Sequence, residues 1–163
     1  MSTTYITYRI FIVDVLGCDH IPHACGSLWA HLRDTAELLR GWGQSPAIID
    51  AGLFHSIYGT SQFKHASFPI EGRHIIRHLI GTKAEELAFE FCTLDRRRFP
   101  WGTFLPPERR AQLYTIEAAN LIDQRDPPEN IAVLMATGLL SQRVFDACAA
   151  YVVAHTEMHR DAS

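Results

Sequence analysis

The sequence predicts an all-α fold, a compact helical bundle formed by one domain over residues 1–163, and three observations carry that expectation. The segment SLWAHLRDTAELLRGWG, from Ser27, sets Leu28, His31, Leu32, Thr35, Leu38 and Leu39 on one helical stripe. Ser45-Pro46 pairs a capping residue with a proline at a first helical position. No segment alternates with period two between turn residues, so no sheet is expected.

In order along the chain, apolar residues from Tyr5 to Leu16 follow a helical rhythm that stops at Gly17. The loop CDHIPHACG follows. The Ser27 helix ends at Gly41 or Gly43, where glycine stops a helix without a Cβ penalty. The Ser45-Pro46 helix runs to about His55 or Tyr58, and a polar loop continues through Phe68. Shorter helices are expected over Ile70–Ile80 and Thr82–Thr93. The stretch LDRRRFPWGTFLPP, with its prolines, glycine and aromatics, reads as a long irregular connection of the kind that often carries function. Pro107 opens a long helix through ERRAQLYTIEAANLIDQ, RDPPEN turns the chain, and two last helices span about 128–137 and 140–155.

Hydrophobic content of 47% with 20% charged residues is ordinary for a soluble globular chain. The formal net charge of −3 gives no general attraction to nucleic acid or anionic membrane, so neither is an expected partner. The N-terminal stretch lacks a basic region and a cleavage site, and is too short and polar to span a bilayer. Cys18, Cys25, Cys92 and Cys148 form no CxxC pair and read as reduced thiols, which fits a cytoplasmic protein.

The candidate site rests on His31 and His55. Each falls within the apolar stripe of its helix, and the two helices are joined by a tight glycine-rich turn that packs them side by side. One such histidine reads as a core residue with its ring nitrogens satisfied by backbone. Two on neighbouring helices, with Ser56, Tyr58 and Thr60 beside the second, read as the wall of a reaction site.

The motifs LWAHLRDTAELLRGWG and IIDAGLFHSIYGT resemble the opening of the HD-domain superfamily of metal-dependent phosphohydrolases and related oxygenases. That superfamily places a His on one helix, a His-Asp pair on the next and an Asp on a later one. The chain is distantly similar to the stringent-response alarmone hydrolases, whose spacing suits the separation 55 − 31 = 24. It is most similar to an HD-like family of unknown function marked by AGLFHS and YGT, and the likeness covers roughly residues 20 to 125. The resemblance implies an HD-type bundle with His31 and His55 as metal ligands. The later ligand would fall at Asn120, or at Asp123 if the register slips by a turn.

The departures from that pattern are systematic. Ser56 stands where the pair has Asp, Tyr58-Gly59 stand where the hydrolases have Glu-Asp, and Asn120 stands at the late Asp. A divalent cation held by neutral ligands keeps its charge, and burying it uncompensated costs several kcal/mol. A third imidazole would have to come from His20, His23 or His65, and a carboxylate from Glu71, Asp95, Glu117 or Asp123. Zinc, manganese or iron suits such nitrogen ligands better than magnesium, and a site without metal stays open beside it. There, histidine would serve as general acid or base. Ser56, Tyr58, Thr60 or Asn120 would support developing charge.

Arg73 and Arg77, one turn apart, could hold an anionic group, with Arg77 the more solvated. His74 and His78 read as an exposed helix face, HTEMH (His155, His159) as a helix end, and DRRRF as a surface charge run, with contact to phosphate as its alternative. Trp29, Trp42 and Trp101 read as core or lid packing.

The resulting expectation is a small-molecule enzyme performing hydrolysis, elimination or a related acid/base step on a polar or anionic substrate. Its catalytic residues would be His31, His55, Ser56, Tyr58 and Asn120, with Thr60, Arg73 and Glu71 binding substrate and His31, His55 and Asp123 as metal ligands. A ligand- or partner-binding domain that lost its metal is the alternative, and an iron-dependent oxygenase a further one. A homodimer is compatible with either.

Overall fold

The computed structural model describes residues 3–23, 26–97 and 99–160. Eight α-helices among them carry the fold: α1 (Thr3–Ile10), α2 (Leu28–Gly41), α3 (Pro46–Leu53), α4 (Arg73–Ile80), α5 (Thr82–Thr93), α6 (Pro107–Asp123), α7 (Pro128–Met135) and α8 (Gln142–Arg160). The protein is thus all-α, as its helical periodicities require. Ser27 caps α2 in an extended conformation, its Oγ accepting from Ala30 N at 3.2 Å. Ser45 is also extended, but its side chain makes no capping bond; its carbonyl accepts from the amides of Ile48 and Ile49.

Four local features depart from the sequence reading. The first helix continues past Ile10 as a π-helical turn, Phe11–Val15. The CDHIPHACG loop contains a two-residue hairpin, β1 (Pro22–His23) against β2 (Gly26–Ser27), with Pro22 opposite Ser27 and His23 opposite Gly26. Strands of two residues are too short to show alternation, which is why the pattern is silent there. Amides at the start of α2 tie the loop down, Leu28 N to Ile21 O and Trp29 N to Cys18 O. Third, α3 stops at Leu53 and the chain turns through residues 54–58, so His55 rides on the turn after the helix. Fourth, residues Ile70–Gly72 form a 3-10 turn before α4 begins at Arg73.

The helices that place the site are α2, α3, α5 and α6. Helix α2 packs on both α3 and α6, α3 packs on α5, and α7 and α8 pair beside them. Gly52 sets the closeness of the α2–α3 contact, because a Cβ there would lie 2.3 Å from Leu39 Cδ1. Buried apolar side chains from Tyr8 to Cys148 form one cluster around these helices. Cys18, Cys92 and Cys148 are free and buried, whereas Cys25 lies outside the described residues. Among the described residues no helix is long and apolar enough to cross a membrane.

Candidate functional site

Helix α2 delivers His31 and the turn after α3 delivers His55, and the rings meet in the core with 1% and 0% of their surfaces exposed. Their Nε2 atoms lie 3.1 Å apart. The opposite nitrogens are both committed. His55 Nδ1–H donates to Gly52 O at 2.6 Å, and His31 Nδ1–H donates to Asp123 Oδ2 at 2.6 Å. A carbonyl and a carboxylate can only accept, so each Nδ1 must carry its proton. A neutral imidazole with a protonated Nδ1 has a bare Nε2. Two bare nitrogens facing each other at this distance repel, unless one cation sits between them.

A proton is the simplest such cation. Burial, reinforced by the positive charge of His31, holds His55 well below the ordinary imidazole range. His55 is therefore the neutral ring of the pair. The result is a buried hydrogen-bonded chain Asp123–His31–His55.

Helix α6 continues the polar chain on the far side of His55. Asn120 Oδ1 lies 3.2 Å from His55 Nε2, while Asn120 Nδ2 donates to Glu117 Oε2 at 3.1 Å and Gln124 Nε2 donates to Asn120 Oδ1 at 2.7 Å. Arg96 Nη1 donates to the same Glu117 carboxylate. Burial pushes the Glu117 carboxyl up, and the Arg96 cation and the Asn120 amide oppose that push. Phe91 of α5 meets the edge of the His55 ring at 5.1 Å, and its own face carries the Arg96 guanidinium at 3.9 Å. Cys92 Sγ donates to His55 O at 3.0 Å.

Of these groups Asn120, Gln124 and Arg96 reach a cavity of about 350 Å³, a size that suits a small molecule, while His31 and His55 lie beneath its lining. Its walls include His23, Ser56, Thr60, Arg96, Asn120 and Gln124. His23, on the hairpin, stacks on His31 with centroids 4.1 Å apart. Burial and the neighbouring His31 lower its pKa to about 4, so His23 covers the pair as a neutral ring. Thr60 Oγ1 accepts from the amides of Gln62 and Phe63, fixing the loop that forms the opposite rim.

The expected site residues therefore divide. His31, His55 and Asp123 join directly, with Asn120 beside them, and Ser56 and Thr60 line the cavity. Tyr58 and Arg73 belong to a different cluster. Tyr58 OH donates to the buried Glu85 carboxylate at 3.1 Å, Arg73 holds it bidentately at 2.6 and 2.9 Å, and Arg77 adds a second cation. Burial alone would raise Glu85, but these three donors outweigh it and hold the carboxyl below its ordinary range. Glu71 is exposed on the 3-10 turn, and Asp95 pairs with exposed Arg97. His20 and His65 are exposed, as are His74 and His78. His155 stacks on Tyr151, and the side chain of His159 lies outside the described residues. Trp42 and Trp101 are buried, and Trp29 packs partly buried against the core.

Gln62 and Gln124 were absent from the expected set, and Arg96 entered it only within the run DRRRF. Arg96 was hidden in the run DRRRF, where nothing in the pattern separates a buried arginine from the exposed Arg97 beside it.

Among the described residues no group of three or more His, Cys, Asp or Glu side chains is arranged to hold a metal ion. What converges instead is two imidazole nitrogens with an amide oxygen, at 3.1 and 3.2 Å. Adjacent ligand atoms bound at about 2.1 Å to a first-row cation sit roughly 3 Å apart, so each of these two spacings is one that a cation could bridge. Asp123, behind His31, stands where a carboxylate partner of a metal-bound histidine would stand.

A family model described as a domain of unknown function, DUF6817, matches residues 12–96, just over half of the chain. The chain belongs to that family. The matched span holds His23, His31, His55, Ser56 and Thr60 and ends on Arg96, while Glu117, Asn120 and Asp123 lie beyond it on α6. No curated protein and no solved structure matches the chain.

Proposed function

We propose that this DUF6817 chain is a small-molecule enzyme on an HD-like helical scaffold, using the Asp123–His31–His55 relay for an acid/base step of hydrolysis or elimination. The observation that supports this reading is the pair of facing Nε2 atoms whose Nδ1 partners are already committed. Such a pair is a proton acceptor and a proton donor in one place. The pair lends its one shared proton to the leaving group and regains one from the substrate or from an attacking water. Asp123 balances the imidazolium while the proton is in transit. The rings are buried behind Ser56, Asn120 and His23, so the proton crosses that thin wall of the cavity. The hydroxyls of Ser56 and Thr60 and the amide of Gln124 are the neutral donors available to a developing oxyanion. The free, buried cysteines suit action in the reducing cytoplasm.

A second reading is favoured by Asn120 Oδ1, a further acceptor facing His55 Nε2. His31, His55 and Asn120 would hold a first-row cation such as zinc, manganese or iron in place of the shared proton. A bound cation would supply Lewis acidity at the cavity floor. Asp123 would still orient His31, and the cavity side chains would still bind substrate.

Screening purified protein against small carboxylate and phosphate esters, with and without chelator, tests both readings. A turnover abolished in His55→Gln but insensitive to chelator supports the relay, and one lost on chelation and restored by one equivalent of metal supports the cation. A turnover unchanged in folded His55→Gln refutes the site.

A further inference from the structure

We infer that Arg96 is the substrate-anchoring residue of this cavity and that the substrate carries an anionic oxygen group, carboxylate or phosphate. The inference rests on the reading of the cavity as a substrate site and names the class of molecule it takes.

Arg96 is only 6% exposed, yet its Nε is buried without a hydrogen-bond partner. A guanidinium offers five donors in a rigid fork, and leaving one unpaired in the core is costly unless a ligand supplies the acceptor. The plane of the fork is fixed. Phe91 supports one face at 3.9 Å, Glu117 takes Nη1, and the backbone amide of Arg96 donates to Ser61 Oγ at 3.2 Å. Arg96 and Gln62 also form the partition between the cavity over the histidines and a neighbouring one of about 250 Å³. A group held at Arg96 therefore leaves the rest of a small substrate lying over Ser56 and Asn120, above the relay. Arg97, next in the chain, is exposed and paired with Asp95, so it does not share this role.

The link to the relay is direct, since Glu117 accepts from both Arg96 and Asn120 and Asn120 faces His55. An acceptor arriving at Arg96 therefore docks at one end of the polar chain whose other end is the proton-sharing pair.

The test is a titration of the full-length, 15N-labelled chain with inorganic phosphate and, separately, with acetate, following the Arg96 Nε–H signal against a chloride control of equal ionic strength. A saturable shift with phosphate identifies a phosphate-bearing substrate, one with acetate a carboxylate-bearing one, and Arg96→Lys weakens either by roughly tenfold or more. No shift with either anion, or an equal shift with chloride, overturns the inference, and the wild-type titration stands even if Arg96→Lys does not fold. Repeating the titration in His55→Gln separates the two claims. Anion binding that persists while turnover is lost supports both; no anion binding in a wild type that turns over sinks the anchor and spares the relay. Binding with turnover unaffected by His55→Gln spares the anchor and sinks the relay.

Discussion

His31 and His55 face each other through their Nε2 atoms at 3.1 Å, and Asp123 grips the far nitrogen of His31 at 2.6 Å. In the proposed relay that carboxylate balances the imidazolium formed while the proton is in transit. An amide at residue 123 can still accept from Nδ1 but cannot balance an imidazolium. Asp123→Asn is expected to fold and to lose roughly 10²-fold or more in turnover, the usual worth of a positioned acid/base group. A denaturant melt beside the kinetics checks this, and unchanged turnover would remove Asp123 from the mechanism.

Arg96 and Glu117 form a buried ion pair, and the two partners are unequal to a single loss. Arg96→Met leaves a buried carboxylate with only the Asn120 amide to hold it, at an expected cost of roughly 3–5 kcal/mol. Replacing Glu117 by Gln in the same chain removes the stranded charge and should recover part of that loss. Chemical denaturation of the single and double variants reads the difference directly.

Gly52 lies where α3 approaches α2 most closely, and its carbonyl also receives the His55 Nδ1 proton. A methyl there meets Leu39 Cδ1 at 2.3 Å, so Gly52→Ala must shift that side chain or push the helices apart. The expected penalty is about 1–3 kcal/mol, the usual cost of overpacking, with a change in the His55 ring signals. A melt within error of wild type would mean that Leu39 simply turns away.

Cys148 on α8 is buried, and burial pushes its thiol up from 9.0 to about 11. Its folded pKa is raised, so the favourable contribution is complete below about 9 and is lost as pH rises through about 11. The stability advantage of wild type over Cys148→Ala should therefore shrink across that window. At pH 8 iodoacetamide should label Cys148 only after denaturation.

Helix identity was legible because α2 carries a strong stripe after a serine cap and α6 opens on a proline. His31 was legible for the same reason, since a stripe that contains it must point it inward, whereas His55 rides on the turn after α3, outside any helical stripe. Asp123 could be named only as an alternative to Asn120. The two sit three residues apart on one helix, and the structure uses both, one against each histidine. Tyr58 looked like a site residue because it neighbours His55 in sequence, and Arg73 because it stands one turn from Arg77, a pair suited to an anionic group. Which cluster they join depends on Glu85, a buried carboxylate that a helical pattern reads as surface. His23 and Arg96 lie in a hairpin and a loop, where no periodicity tells an inward side chain from an outward one.

The most direct test of the account is the protonation of the two imidazoles, read by 15N–1H correlation on chelator-treated protein at pH 7. The account predicts Nδ1 protonated in both His31 and His55, with a single further proton shared between their Nε2 atoms. A His55 ring protonated on Nε2 with a bare Nδ1, or two rings titrating independently of each other, would contradict it.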